Sequence, residues 1–271
     1  MPDAEADVAD LDLLSRAARE AGEIALRHFR RDPTVWHKHG GSPVSEADLA
    51  VDAHLKAVLG AARPDYGWLS EETTDGPARL GADRVFVVDP IDGTRAFLRG
   101  DAEWAVSIAV VEAGRPVVAA LMQPIGARLL TATAGGGAHC EGRRLTVSGR
   151  RELAGGRLGA PHKYLEKREI REAHFAATTV VPSLALRIAR VAEGRLDVAY
   201  GSGNAHDWDL AAADLLVHEA GGRFTIPSGE PLRYNRPDPR HAALVAATPE
   251  IHDAARHLLA ALLGGATTGH A

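Results

Sequence analysis

A layered α/β (α+β) fold is predicted for this 271-residue chain by three features. Apolar residues in the first sixty positions recur at helical spacing. Residues 85–134 read as successive strands separated by glycines and turns. The second half alternates short strands with helices. Antiparallel strands followed by α/β alternation predict two layered subdomains. The first is an N-terminal α+β unit over 1–143 and the second a C-terminal α/β unit over 144–271.

The elements follow in chain order. Leu11, Leu14, Ala18, Ala21, Ile24, Ala25 and Phe29 form one apolar stripe and predict a helix over 8–29. HKHGGSP, residues 37–43, reads as a loop. Ser45 with Asp48 resembles a capping box and predicts a helix from there to about residue 62. YGWLSEET, residues 66–73, reads as a short strand ending in an acidic loop. VFVV, residues 85–88, is a buried strand by its unbroken apolar run. Segments 104–113 and 115–123 form two strands joined at Gly114, and 127–134 another. AGGGAHCEGRRL, residues 134–145, reads as a flexible connection that leaves Cys140 in a loop. Beyond it come a strand at 157–160, helices at 164–175 and 184–193, and a strand at 196–199. A helix over 210–220 ends at Gly221-Gly222, the C-terminal glycine signal. A strand at 243–246 and a helix over 249–263 follow, with GGATTGHA as a frayed end.

Composition narrows the function. A hydrophobic fraction of 45% and a charged fraction of 25% are those of a globular protein. A net charge of -5 with no long basic run argues against a nucleic-acid polymer as partner. No apolar run reaches the ~20 residues that span a bilayer, so no membrane partner is expected. The acidic N-terminus lacks signal-peptide blocks, and the single cysteine excludes an internal disulfide; both point to a cytoplasmic protein.

The chemistry concentrates in acids beside turns. VVDPIDGTRAF, residues 87–97, places Asp89 and Asp92 at the exit of the most apolar strand. Two carboxylates there cost solvation unless something holds them. They serve equally as strand-exit caps or as ligands of a hard cation. Glu71 and Glu72 lie in WLSEETTD, where a solvated loop is the simpler role. Asp209 precedes the apolar helix in HDWDLAAADLLVHEAGG, where it reads as an N-cap; capping and metal binding are compatible. Asp48 is accounted for by its cap. His206 and Asp207 flank this group, but imidazole suits Mg²⁺ poorly.

Taken together, DPIDGT followed by Phe97, WDLAAADLLVHEAGG, SPVSEAD and LSEE resemble the ordered motifs of the inositol monophosphatase superfamily, metal-dependent and lithium-sensitive phosphatases, over nearly the full length. The resemblance implies an αβαβα sandwich of the inositol monophosphatase/fructose-1,6-bisphosphatase type. It implies two to three Mg²⁺ ions held by Glu71, Asp89, the Ile91 carbonyl, Asp92 and Asp209. Glu71, Thr94, Asp48 and Asp92 form the implied catalytic set. Glu71 and Thr94 orient or deprotonate a water, while Asp48 acts through Thr94 and a weakly held third ion. Gly93 and Thr94 bind the phosphate through their N–H groups, Asp209 adjoins the substrate, and Lys38 belongs to a loop that closes over the metals. Phosphoryl transfer of this kind needs positioning and charge neutralisation rather than a Ser, Cys or His nucleophile.

The motifs are most similar to the bacterial 3'(2'),5'-bisphosphate nucleotidase branch, which makes 3'-phosphoadenosine 5'-phosphate the favoured small-molecule ester. Where inositol phosphatases carry a glutamate for an inositol hydroxyl, Ser202 or Gly203 falls nearest in this chain, so the resemblance implies that the acidic contact is missing. His162 and Lys163 in GAPHKY are candidates for a second phosphate. Inositol 1-phosphate and histidinol or sugar phosphates are the alternatives, as is a regulatory binding role on the same fold. Relatives include both monomers and homodimers.

Overall fold

The computed structural model describes residues 4–31, 33–37 and 43–264. Lys38 and the chain beyond Gly264 lie outside the described residues.

Three helices, a two-stranded ribbon and one wide sheet make up the first half. Helix α1 (Ala4–His28) is followed by β1 (Val35–His37), β2 (Pro43–Ser45) and α2 (Glu46–Ala62). Strands β3 (Gly67–Ser70) and β4 (Arg84–Asp92) flank a 3₁₀ turn at Pro77–Gly81, and α3 (Thr94–Leu98) follows β4 directly. Then come β5 (Ala105–Glu112), β6 (Arg115–Gln123), β7 (Arg128–Thr133), β8 (Gly137–Cys140) and β9 (Arg143–Arg144). Strands β3 to β9 form one seven-stranded sheet in sequence order, antiparallel except for the β3–β4 pair.

The remaining chain builds a second sheet and its cover. Its elements are β10 (Arg157–Gly159), α4 (His162–Leu165), α5 (Arg168–Glu172), β11 (Ala177–Thr179), α6 (Leu184–Ala192) and β12 (Val198–Gly201). After these come β13 (Ala205–His206), α7 (Asp207–Glu219), β14 (Arg223–Thr225), β15 (Arg240–His241), β16 (Leu244–Ala247) and α8 (Pro249–Gly264). The five-stranded sheet has the order β11-β10-β12-β16-β14.

Three cores stack the layers. The β4 run obeys the period of two of a strand. Phe86 and Val88 face the core under α1 and α2, whereas Val85 and Val87 face the core that holds α6 and α7. This middle core also takes in Ala199, Phe224 and Leu244 of the second sheet. Val198, Tyr200 and Val245 turn to a third core with Ile251, Ala255 and Leu259 of α8. The order is therefore helices, sheet, helices, sheet, helix, the αβαβα layering expected.

Several local expectations are corrected. Residues 134–145 are not a flexible connection: β8 pairs with β7, and Cys140 is a buried strand residue. The helix expected over 164–175 breaks into α4 and α5, because Lys167 takes an extended backbone. The strand expected at 196–199 is β12, shifted to Val198–Gly201. Asp197 is instead engaged by Arg157, whose guanidinium lies 2.8 Å away.

Candidate active site

Strand β4 should place residues three apart on opposite faces. Here Asp89 pairs with Ser107 and Asp92 with Ala105, so β4 carries one extra residue against β5. This bulge brings both carboxylates to one side. They line a cavity of about 380 Å³ together with Glu71 from the end of β3 and Asp209 from the first turn of α7. Ile91, Gly93 and Thr94 line it too. Its outer wall is Pro43, Arg95, Arg99, Val180 and Pro182. A larger cleft of about 730 Å³ beside Arg150 and Arg157 shares none of these residues. Donor chemistry rather than size identifies the site.

The four aspartates Asp89, Asp92, Asp209 and Asp48 each accept a backbone N–H. Asp89 Oδ1 accepts the Ile91 N–H at 3.0 Å. Asp92 accepts from the Ser183 hydroxyl, from the Ala185 N–H at 2.7 Å and from the Leu184 N–H at 3.3 Å. It thus sits on the free amides of α6, an arrangement that favours negative charge. Asp209 does not occupy the N-cap expected for it. Helix α7 starts at Asp207, and Asp209 accepts the N–H of the capping residue His206 at 2.6 Å. Asp48 does the same for α2, accepting from Ser45 N–H at 2.8 Å and its hydroxyl at 2.6 Å. Thr94 Oγ1 lies 3.0 Å from the Ile91 carbonyl and 3.3 Å from Asp48 Oδ1. Gly93 adopts φ 93°, and a Cβ there would come 3.0 Å from Glu103 O and 3.3 Å from Ser183 Cα. Only glycine permits that close crossing.

Burial is the main reason these acids resist ionisation. It raises Asp89 and Asp209 well above the ordinary carboxylate range, with neighbouring acids adding to the effect. Asp92 rises to about 6, burial outweighing the stabilising bonds from Ser183 and α6. Asp48 is also raised by burial. One carboxylate oxygen each from Asp89, Asp92 and Asp209 lies within 4.8 Å of the others. Hard oxygens at that spacing suit a hard divalent cation such as Mg²⁺, whose charge reverses the local penalty.

The other sequence candidates fall elsewhere. His162 and Lys163 are exposed on α4; His162 faces Glu166 at 3.5 Å and Lys163 lies over the Tyr164 ring. Neither lines the cavity. Ser202 is half-buried and also lies outside the lining. Asp207 is committed to His241 at 2.6 Å and the Asn235 N–H at 2.7 Å. His206 stacks on Trp208 with ring centroids 4.4 Å apart, and burial lowers its pKa.

Sequence reasoning missed Ser183 and Arg187. Buried Arg187 donates to the Val181 and Tyr200 carbonyls, and burial brings it down to about 10 although the negative Asp92 opposes the shift. The serine before the apolar run LALRIARVA was a readable N-cap signal; its second bond, to Asp92, was not.

An αβαβα scaffold with an acid-lined cavity where β3, β4 and α7 converge is the arrangement of a phosphatase family. The inositol monophosphatase family model matches residues 8–263, and the chain belongs to that family. It is 37% identical over 227 residues to the Nus factor SuhB of Pseudomonas aeruginosa, covering 78% of this chain and 83% of that protein. It is 35% identical over 230 residues to the inositol-1-monophosphatase of Rhizobium meliloti, covering 81% and 86%. The solved IMPase of Thermotoga maritima superposes with a TM-score of 0.84 at 26% identity, covering 96% and 99%. These names support the family and do not single out a bisphosphate nucleotidase branch.

Proposed function

We propose that this protein hydrolyses a small phosphate monoester with the help of Mg²⁺, 3'-phosphoadenosine 5'-phosphate being the favoured substrate. The convergence of Asp89, Asp92 and Asp209 within 4.8 Å carries the reading, because a purely regulatory module has no chemical need for it. Glu71, Asp89, the Ile91 carbonyl, Asp92 and Asp209 would hold the ions. When bound, Mg²⁺ supplies charge neutralisation of the phosphate, a more acidic water and a stabilised leaving oxygen.

The chain's own groups do the rest. The Thr94 hydroxyl, with Asp48 and the Ile91 carbonyl as acceptors for its proton, offers its lone pairs to an attacking water. Glu71, in the same cavity, accepts the proton of that water. The N–H groups of Gly93 and Thr94 orient the phosphoryl oxygens. No phosphorylated residue forms.

Inositol 1-phosphate is the second reading, favoured by the name of the Rhizobium meliloti relative. The absence of an acid at Ser202 or Gly203, nearest to where inositol phosphatases carry one, weighs against it. Phosphate release from 3'-phosphoadenosine 5'-phosphate, inositol 1-phosphate and histidinol phosphate, with Mg²⁺ and with or without millimolar Li⁺, tests both. The first ester should turn over fastest. Release from none of them at saturating Mg²⁺ overturns the enzymatic reading.

A further inference from the structure

The outer wall of the cavity is unlike its floor. Arg95 and Arg99 stand there, one turn apart around α3, against the apolar faces of Pro43, Val180 and Pro182. Most arginines near the cores are already spoken for: Arg84 holds Asp10, Arg190 holds Glu103 and Arg157 holds Asp197. Arg95 is exposed, and its guanidinium has no hydrogen-bond or ion-pair partner among the described residues. Among the described residues the Arg99 side chain pairs only with Asp101, at 2.8 Å, with both side chains about half exposed (56% and 47%). An exposed pair of that kind contributes little and exchanges readily for a better anion.

A scissile phosphate at the floor would be neutralised by the cations the acids hold, leaving the two guanidiniums unused. Their planar forks match a phosphate dianion in a way that a lysine would not. The apolar surfaces between rim and floor can pack against a flat, weakly polar body and offer no side-chain hydrogen bonds to a polyhydroxylated one.

We infer that Arg95, with Arg99 beside it, forms a rim subsite for a second, non-scissile phosphate, so that this site selects doubly phosphorylated esters carried on a flat spacer. The inference rests on the phosphatase reading of the same cavity and assigns its specificity. Arg95 is a substrate-binding residue here, with no part in the chemical step.

Calorimetric titration separates this from turnover. A Glu71→Gln background with Mg²⁺ is titrated with 3'-phosphoadenosine 5'-phosphate and with adenosine 3'-phosphate, which lacks only the second phosphate. The bisphosphate should bind about tenfold to a hundredfold tighter, the range of a charge-assisted hydrogen-bonded pair. Adding Arg95→Ala should narrow that gap to less than about threefold, and Arg95→Lys should keep part of it. Asp101→Asn, which frees Arg99, should widen it. An equal affinity for the two nucleotides, or a gap of unchanged width in the Arg95→Ala protein, overturns the subsite. Absence of phosphate release by the wild-type protein, measured separately, bears on the phosphatase reading and not on this gap.

Discussion

Asp92 and Ser183 are hydrogen-bonded to each other across 91 residues of chain. The same serine hydroxyl accepts the Leu186 N–H at 3.0 Å, so it caps α6 and steadies a candidate ligand at once. Ser183→Ala should therefore have two separable effects. Losing the cap should cost about 1 kcal/mol, read from denaturant unfolding. Losing the donor should raise the Asp92 carboxyl further in the metal-free protein, so that protons compete harder with Mg²⁺ and the Mg²⁺ concentration for half-maximal rate rises. A stability loss with an unchanged Mg²⁺ requirement would assign Ser183 a capping role alone.

Asp92→Asn should lower kcat at least about a hundredfold even at saturating Mg²⁺, as should Glu71→Gln. Asp209→Asn should mainly raise the Mg²⁺ concentration needed for half-maximal rate. Titrating the rate against Mg²⁺ for each variant checks this, and full recovery of Asp92→Asn at high metal would remove Asp92 from the catalytic set.

Without metal, the protein should lose stability as pH rises. Asp89, Asp92 and Asp209 have carboxyls raised above their unfolded values, so the native state binds more protons than the unfolded state. Stability then falls with increasing pH through the folded pKa, about 6 for Asp92. The melting temperature in a chelator should drop by several degrees between pH 5 and pH 8. Saturating Mg²⁺ should reverse the trend, because ion binding competes with those protons. A flat profile in both conditions would contradict the cluster's burial.

Thr94→Val removes a hydroxyl set 3.0 Å from the Ile91 carbonyl and 3.3 Å from Asp48. We expect a fall in kcat of about 10²–10⁴, the usual worth of such a proton-handling group. Thr94→Ser should retain most of the rate, and an equal loss in both variants would point to packing instead.

Much of this site was legible because its acids sit in local signals. The Asp89–Pro90–Ile91–Asp92–Gly93 run stands at a strand exit and Asp48 three residues after a serine, and both lie where the sequence put them. Local signals carried no further. Asp209 reads as a cap, yet the helix begins at Asp207, because Asp207 is drawn inward by His241 and Asn235, partners found only after folding. His162 and Lys163 were attractive as cations, but α4 turns them to solvent. Arg95, directly after the motif, was passed over; that its side chain lacks a partner among the described residues is a tertiary property. The layers were readable from periodicity because Val85 to Val88 alternate between two cores. The break between α4 and α5 was not, since it depends on one extended residue, Lys167.

Asp209 comes from an element that meets the strand of Asp89 and Asp92 mainly through apolar packing, with the Ser107 hydroxyl donating to the Trp208 carbonyl at 3.2 Å beside it. Asp89 and Asp92 end a strand of the first sheet, while Asp209 begins a helix that also packs on the second. A cation gripped by all three would work as a removable rivet. With it in place, strand and helix should unfold as a unit. Chelation should let the start of α7 open on its own, so its amides would exchange with solvent before those of β5 and β6.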